Sequence, residues 1–354
     1  MSNKQNRILW LFNHETLTSF EVPLLRKLGF EVFVPKIYPK TEEWGSGATT
    51  WEHDISLTIP HEALTLLNKC DFYSSLPLTA EVLANINSHF AAVFFNHPPR
   101  LTQLLKRFSG AVFYRVFGRE APNNYGAFFT PADKRQLLRR REHFFFAQAL
   151  PYISEIEDRF LTDRAITLPF GIPEHVMQKT NSWRGGNRKL LFVCPRISTS
   201  PYYKNIYAAF KENFSDVPHL IAGKQFQRSQ DTAILGNLPR DKYDAVLTAS
   251  EVLFYHSEEP RHIHYHPLEA MVFGVPMIYM HKGVLGRRAD QKLPGACDTI
   301  NKAKEKVLQV LRGDIAFTNE VLESQKSLLA KLYSPVHCER AWEKLPELIR
   351  KALR

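Results

Sequence analysis

Short apolar runs alternate with amphipathic stretches along the first half of the chain. The run RILWLF (7–12) is strand-like, whereas HEALTLLNKC (61–70) spaces its apolar residues for one face of a helix. Further strand-like runs are EVFVP (31–35), AAVFF (91–95), AVFYRVFG (111–118) and FFFAQA (144–149). This alternation predicts one Rossmann-like domain, in which a parallel sheet carries helices on both faces.

The same pattern starts again in the second half, after a polar stretch. Residues 178–189 contain Gly185-Gly186 and almost no apolar periodicity, which predicts an interdomain linker. Beyond it the strand-like runs KLLFVCPRI, HLIAG, VLFYHS and VPMIYM alternate with helical stretches such as YKNIYAAFKENF. A second Rossmann-like domain is therefore expected, followed by a helical segment after Pro335.

The length and composition agree with two globular domains, and the net charge limits the classes of partner. The chain has 354 residues, of which 44% are hydrophobic and 23% charged, and its formal net charge is +10. Such a charge attracts phosphorylated small molecules, anionic lipid surfaces and nucleic acid. Nucleic acid is disfavoured because no helix-turn-helix, zinc-finger or RNP-like signature surrounds the basic residues.

No apolar run approaches the roughly 20 residues that span a bilayer, and the N-terminus is polar. We therefore expect a cytoplasmic protein. The four cysteines, Cys70, Cys194, Cys297 and Cys338, are scattered without a CxxC pair. This spacing indicates neither a disulfide framework nor a structural metal site.

The segment HYHPLEAMVFGVPMIYM (264–280) is the most informative part of the sequence. Pro267 can begin a helix, Glu269 lies in its first turn, and Gly274 can end it before a buried strand. A helix N-terminus binds phosphate through its free N–H groups, and a carboxylate one turn in can accept hydrogen bonds from ribose hydroxyls. The alternative is that Glu269 only offsets the helix dipole.

This segment resembles a run common to GT-B glycosyltransferases, a group that includes bacterial enzymes of polysaccharide and glycolipid assembly. The matching residues are Pro267, Leu268, Glu269, Ala270, Met271, Gly274, Pro276 and Ile278. The resemblance implies that Glu269 binds the ribose of a nucleotide-sugar donor. It also implies that Arg196, after LLFVCP, and Lys204, at the start of the next helix, hold the donor diphosphate.

One position departs from the family pattern. Many members carry a second Glu eight positions before the Glu that corresponds to Glu269, and Arg261 occupies that position here. An insertion of a residue or two relative to the family pattern could bring Glu258 or Glu259 to the same place. Arg261 could instead meet an acidic donor sugar or another phosphate oxygen, so the donor sugar and the stereochemistry stay open.

Three alternate histidines, His262, His264 and His266, suggest a metal site only if the segment is extended, and the sequence offers no further ligand. The resemblance implies a metal-independent enzyme without a cofactor. His266, beside the helix start, is the histidine we expect to face the donor.

The N-terminal domain should bind the acceptor through groups at its strand ends. The candidates are His14, Glu15, His97, Arg115, Arg119 and Glu120. An inverting enzyme needs a base near neutral pKa, and histidine fits this role, so His14 and His97 are the predicted catalytic residues. The alternative is a histidine that only caps a turn, and a retaining enzyme would need no such base.

A basic helical run, KRQLLRRR (134–141), offers a second kind of partner. Its cations flank Leu137 and Leu138 and could rest on an anionic membrane that carries lipid-linked acceptors. A solvated helix face explains the run equally well.

The complete prediction is an α/β protein of the GT-B type, with two Rossmann-like domains facing across a cleft. Residues 1–175 would bind the acceptor, residues 186–335 the nucleotide-sugar, and a C-terminal helix (336–354) would return to the N-terminal domain. The predicted function is transfer of a sugar to a saccharide or glycolipid acceptor in surface polysaccharide synthesis. The alternatives are a nucleotide-sugar epimerase or phosphorylase-like enzyme on the same fold, and a non-catalytic nucleotide-sugar-binding module.

Overall fold

The structure, a computed structural model, describes residues 3–12, 14–37, 57–74, 76–96, 98–119, 123–333 and 335–354. The chain divides into two compact units. Unit 1 comprises Met1–Pro173 and Pro335–Arg354, and unit 2 comprises Glu174–Ser334. Among the described residues, no helix combines the length and the apolar character needed to cross a bilayer.

Both units are built from alternating strands and helices. The strands are β1 (Arg7–Leu11), β2 (Glu31–Phe33), β3 (Ala92–Phe95), β4 (Ala111–Val116), β5 (Phe144–Gln148), β6 (Ala165–Thr167), β7 (Leu190–Val193), β8 (His219–Ala222), β9 (Val252–Tyr255), β10 (Met277–Met280) and β11 (Ala296–Cys297). The helices are α1 (Glu15–Lys27), α2 (His61–Asn68), α3 (Ala80–His89), α4 (Pro98–Arg107), α5 (Pro131–Arg139), α6 (Arg159–Thr162), α7 (Glu174–Met177), α8 (Pro201–Phe214), α9 (Arg240–Ala249), α10 (His266–Phe273), α11 (Val284–Arg288), α12 (Ile300–Leu311), α13 (Ile315–Leu332), α14 (Pro335–Trp342) and α15 (Leu345–Ala352). Short 3-10 turns connect several of them.

Unit 1 is organised around a six-stranded parallel sheet in the order β2-β1-β3-β4-β5-β6. Its central strands are mostly apolar because both faces of such a sheet are covered. A row of stacked rings crosses four neighbouring strands: Trp10 and Phe94 lie 5.3 Å apart, Phe94 and Phe113 4.5 Å, and Phe113 and Phe145 4.8 Å. This row forms the centre of the unit 1 core.

The C-terminal segment completes this core. Trp342 of α14 is fully buried, its ring stacks on Phe94, and its indole N–H donates to the Pro169 carbonyl oxygen at 2.9 Å. The Cys338 thiol donates to the Phe170 carbonyl oxygen at 3.4 Å. The predicted return of the last helical segment to the first domain is thus confirmed by contacts within unit 1.

Unit 2 contains a five-stranded parallel sheet in the order β11-β10-β9-β7-β8. Residues 178–189, predicted as a linker, belong to this unit. The Asn181 and Trp183 N–H groups donate to the carbonyl oxygens of Val272 and Phe273, and the Trp183 indole donates to Ser250. Backbone pairing, and not apolar periodicity, holds this polar stretch in place.

Helix α10 lies inside unit 2, where all eight of its residues are buried. It packs on β9, β10, α7 and α13. Gly274 ends the helix with φ 77°, a left-handed conformation that only glycine adopts at low cost. The Gln325 side chain then accepts from the Met277 N–H at 2.7 Å and donates to the Val275 oxygen at 2.9 Å, which fixes the turn into β10.

Candidate functional site

The strand order of unit 2 marks the place where a ligand is expected. The chain passes from β7 to β8 on one side of the sheet and from β9 to β10 on the other. Ligands of open parallel sheets bind at such a switch point, outside the carboxyl ends of the strands. Arg196 follows β7 and His256 follows β9, so both lie at this point.

Arg196 has an unusual backbone conformation. Its φ of 52° is left-handed, which costs a non-glycine residue about 1–3 kcal/mol and persists only where the surroundings enforce it. The Gln225 side chain does so: it accepts from the Ile197 N–H at 3.0 Å and donates to the Cys194 oxygen at 2.8 Å. The Arg196 N–H donates to the Lys224 oxygen at 2.8 Å. These hydrogen bonds hold the loop in one conformation.

Lys204 lies in the first turn of α8, and its side chain is exposed. The helix begins at Pro201 behind a Ser200 cap, whose hydroxyl accepts from the Tyr203 N–H. The Arg196 guanidinium lies 5.6 Å from the Tyr203 ring centroid. Both predicted diphosphate ligands therefore stand at the positive N-terminal end of one helix, where an anion is stabilised.

Four histidines gather beside this helix end. The ring centroids of His262 and His264 are 4.9 Å apart, those of His264 and His266 5.6 Å, and those of His256 and His264 6.0 Å. Within the described ranges, no three His, Cys, Asp or Glu side chains are arranged to hold a metal ion. The sequence analysis missed His256, whose one signal was its position directly after an apolar run.

Burial controls the protonation of these imidazoles. It lowers the pKa of His256 to about 4 and that of His266 to about 3, with the proximity of His256 adding to the effect at His266. Burial and the neighbouring histidines hold the pKa of His264 well below its usual range. At neutral pH these three rings are therefore uncharged.

Glu269, the predicted ribose ligand, is an ion-paired side chain. It is 5% exposed, and Arg240 at the start of α9 donates to its Oε1 at 2.6 Å. Burial raises the pKa of Glu269, while Arg240 and a hydrogen bond with Tyr243 act in the opposite direction. Arg240 also pairs with Asp244 at 2.8 Å. The sequence analysis identified neither Arg240 nor Tyr243.

Arg261 and Glu259 pair with each other in the loop between β9 and α10. The Arg261 Nη2 lies 3.1 Å from the Glu259 Oε1, and the Arg261 N–H donates to the same oxygen at 3.1 Å. The Glu259 N–H donates to the Ser257 hydroxyl at 3.3 Å. A carboxylate thus lies next to the position where the family pattern has its first Glu.

The acceptor-side candidates in unit 1 differ in their surroundings. His14 caps α1, because its Nδ1 accepts from the Leu17 N–H at 3.4 Å, and burial lowers its pKa to about 4. It also follows β1, which lies at the switch point of the unit 1 sheet. His97, the side chain of Glu15, and Glu120 lie outside the described residues.

Arg115 contradicts the expectation that it faces an acceptor. Its side chain is fully buried and pairs with the equally buried Glu21 at 2.6 Å, between the rings of Phe117 and Trp342. A strand residue can only turn outward if its face of the sheet is open, and α1 and α14 cover this face. Arg119 stacks on Phe128 with its guanidinium 4.5 Å from the ring centroid.

Comparison with solved structures identifies the fold of the chain. No protein-family model and no curated protein matches the sequence. The Anabaena protein HepE, solved with UDP-glucose, is similar in structure: the TM-score is 0.63 at 10% identity, over 96% of this chain and 99% of HepE. The chain has the GT-B fold. A Rickettsia africae glycosyltransferase shares this fold, with a TM-score of 0.56 at 12% identity over 99% of both chains.

Staphylococcus aureus TarM is a larger neighbour with the same GT-B fold. The TM-score is 0.52 at 13% identity, over 73% of this chain. The chain spans only about half of TarM, 54% of its length. At identities this low, structural similarity establishes the architecture of two Rossmann-like units. The activity must be argued from the site.

Proposed function

We propose that this chain is a glycosyltransferase that binds a nucleotide-sugar donor in unit 2 and an acceptor in unit 1. The observation that carries the proposal is the group of cations and histidines at the unit 2 switch point. Arg196 is held in a strained, preformed loop, Lys204 lies in the adjacent helix turn, and His266 begins α10. The UDP-glucose complex of the GT-B neighbour HepE supports a nucleotide-sugar as the ligand class.

In this proposal Arg196 and Lys204 bind the donor diphosphate and neutralise it as it leaves. A guanidinium offers a planar fork to phosphate oxygens, and an ammonium supplies a movable point charge. Glu269, oriented by Arg240, accepts from the ribose. Glu259 and Arg261, which pair with each other, are the proposed contacts of the donor sugar. Cationic side chains and helix dipoles then perform the role of a metal ion, so chelation with EDTA should leave turnover unchanged.

The acceptor is a saccharide or glycolipid, and the product contributes to a surface polysaccharide. His14 and His97 remain the proposed bases in unit 1. Because Nδ1 accepts from the Leu17 N–H, neutral His14 carries its proton on Nε2, so in this proposal it acts as a base through Nδ1 once the cap opens. The alternative that His14 only caps α1 predicts that His14→Asn, which preserves a capping oxygen, retains turnover.

Donor binding can be tested by thermal shift with UDP, GDP, CMP, ADP and their sugar conjugates. A ligand at 100 times its Kd stabilises by about 2.7 kcal/mol, which raises the Tm of a unit of this size by about 5–10 °C. We expect a rise with one nucleotide class and its loss in Arg196→Ala. Arg312→Ala, an exposed cation at the end of α12, is the matched control. No rise with any nucleotide would refute the donor site.

Transfer itself is tested with the nucleotide that binds. Loss of one charged hydrogen bond costs about 1.5–3 kcal/mol, so Arg196→Ala and Lys204→Ala should lower kcat/KM by about 10- to 150-fold. Near-normal rates in both variants would contradict the assignment. An isomerised sugar formed without acceptor would favour an epimerase, and tight binding without transfer a binding module.

Membrane contact is the last part of the proposal, supported by the end of α5. Leu137 points inward and is buried, whereas Leu138 is 55% exposed beside Arg139 and Arg141. A cavity of about 590 Å³ opens here, lined in part by Leu138, the three arginines 139–141 and His143. We expect sedimentation with phosphatidylglycerol vesicles but not with phosphatidylcholine vesicles, and its loss in Arg139→Glu/Arg141→Glu.

A further inference from the structure

The histidine cluster, defined here as His256, His264 and His266, carries an inference beyond simple donor binding. Its three rings come from the end of β9, the following loop and the first turn of α10. The His264 ring neighbours both others, with centroids 6.0 Å apart for His256 and His264 and 5.6 Å for His264 and His266. The cluster lies at the switch point of the sheet, beside the Arg196 loop.

The three histidines differ in their hydrogen bonds. His264 is held on both nitrogens, by the Tyr203 hydroxyl at 3.1 Å and the Tyr255 hydroxyl at 3.2 Å. In contrast, both nitrogens of His256 and the Nε2 of His266 are buried without a hydrogen-bond partner among the residues that the structure describes. Buried polar atoms are almost always paired, so these three nitrogens mark a place that a polar ligand completes.

Aromatic rings pack against His256 and His266. Phe192 of β7 and Tyr255 of β9 pack against these imidazoles, at 5.5 Å for Phe192 and His256 and 5.3 Å for Tyr255 and His266. Tyr203 of α8, whose hydroxyl contacts His264, has the Arg196 guanidinium against its ring. Burial lowers the pKa of His256, and burial together with His256 lowers that of His266. Burial and the three neighbouring histidines, His262 included, lower the pKa of His264.

We infer that His256 and His266 bind the diphosphate of the donor and that the pair takes up a proton from solvent as the anion enters. The inference rests on the proposed function. A negative charge about 4 Å from an imidazole raises its pKa by roughly 3 at an effective dielectric constant near 20. This moves the pKa of His256 from about 4 to the neutral range and that of His266 close behind it.

The proton has a role in the proposed reaction. When the bond between the sugar and the diphosphate breaks, the diphosphate keeps the electron pair and gains negative charge. An imidazolium N–H that donates to it stabilises that charge without a metal ion. The proton returns to solvent when the nucleoside diphosphate leaves and the empty cluster becomes neutral again. Two neutral histidines therefore supply a positive charge only while the anion is bound.

Calorimetric titration of the full chain measures this proton directly. UDP and inorganic pyrophosphate are titrated at pH 7.0 in PIPES and in Tris, whose ionisation enthalpies differ. The dependence of the observed heat on the buffer gives the number of protons taken up. We expect about one proton per bound UDP, and a Kd that falls up to tenfold when the pH is lowered from 7.5 to 6.5.

The double variant His256→Gln/His266→Gln separates protein protons from those of UDP, because the phosphate of UDP itself titrates near pH 6. Glutamine still donates a hydrogen bond but takes up no proton. We expect the proton count and the pH dependence of Kd to fall to the value of the ligand alone. His61→Gln, an exposed histidine of α2, is the matched control and should behave as the wild type.

The outcomes are distinguishable. UDP binding with no proton uptake beyond that of the ligand overturns this inference and leaves the proposed function intact. An unchanged proton count in a folded double variant also overturns it. If neither pyrophosphate nor any nucleotide of the thermal-shift panel binds, the donor site and this inference are refuted together. If the double variant does not fold, the wild-type proton count and the pH dependence of its Kd still decide the question.

Discussion

The ion pair between Arg240 and Glu269 gives the sharpest test of how the candidate site is built. The side chain of Glu269 is 7% exposed and that of Arg240 38%, with 2.6 Å between their charged atoms. Removing one partner of a fully buried pair costs about 3–5 kcal/mol. Since solvent screens the exposed part of Arg240, we expect Arg240→Met to lower the free energy of unfolding by about 2–3 kcal/mol. Urea denaturation followed by circular dichroism measures this loss.

A double-mutant cycle isolates the pair from the other contacts of Arg240, such as Asp244. Glu269→Gln removes the charge and keeps the shape of the side chain, so Arg240→Met/Glu269→Gln should be more stable than the sum of the single effects by about 1–2 kcal/mol. The exposed pair Lys302 and Glu305 is the matched control and should show no measurable coupling. Additive effects within about 0.5 kcal/mol would refute the reasoning.

The same variant has a consequence for the pH dependence of ligand binding. Burial raises the pKa of Glu269 and Arg240 opposes this, so the pKa rises further in Arg240→Met. The carboxyl then becomes charged only at higher pH. If an ionised Glu269 accepts from ribose, nucleotide affinity in this variant should improve as the pH is raised from 6 to 9. Calorimetry that shows the wild-type pH dependence in Arg240→Met would contradict this role.

Three further predictions concern the cores and their response to acid. Arg115→Met leaves the fully buried Glu21 unpaired and should lower the free energy of unfolding of unit 1 by about 3–5 kcal/mol, while Arg115→Met/Glu21→Leu should recover most of it; urea curves in which the double variant is the less stable would contradict this. Trp342→Ala should cost about 3–5 kcal/mol by the same measurement, because the ring is fully buried, and a loss under 1 kcal/mol would mean that α14 is not part of the core. In the folded protein, the pKa values of His256 and His266 lie below those of the unfolded chain. Their contribution to the free energy of unfolding is therefore complete above about pH 6.5, and up to about 3 kcal/mol per histidine is lost as the pH falls toward 4. Unfolding curves between pH 7 and 4 check this, and a His256→Gln/His266→Gln variant with the same acid sensitivity would refute it.

The sequence by itself determined the class and order of the elements, because hydrophobic period is a local property. Short apolar stretches within 189–197 and 275–280, alternating with helical segments, predict strands of a parallel sheet covered on both faces, and β7 and β10 lie within them. The Pro267 to Gly274 spacing fixed the ends of α10 within a residue, since proline favours a first helical turn and glycine a left-handed cap. Residue identity alone was enough for both.

Only the tertiary structure decided what the site residues contact. The partners of Glu269 and Arg115 come from other elements, 29 residues away in the case of Arg240 and 94 in that of Glu21. The polar stretch 178–189 showed no periodicity because backbone hydrogen bonds, which leave no trace in side-chain pattern, attach it to unit 2. His256 became a candidate only when strand order placed β9 beside β7. Chain-local physics sets which elements form, whereas long-range packing sets which charges meet and which nitrogens are left to a ligand.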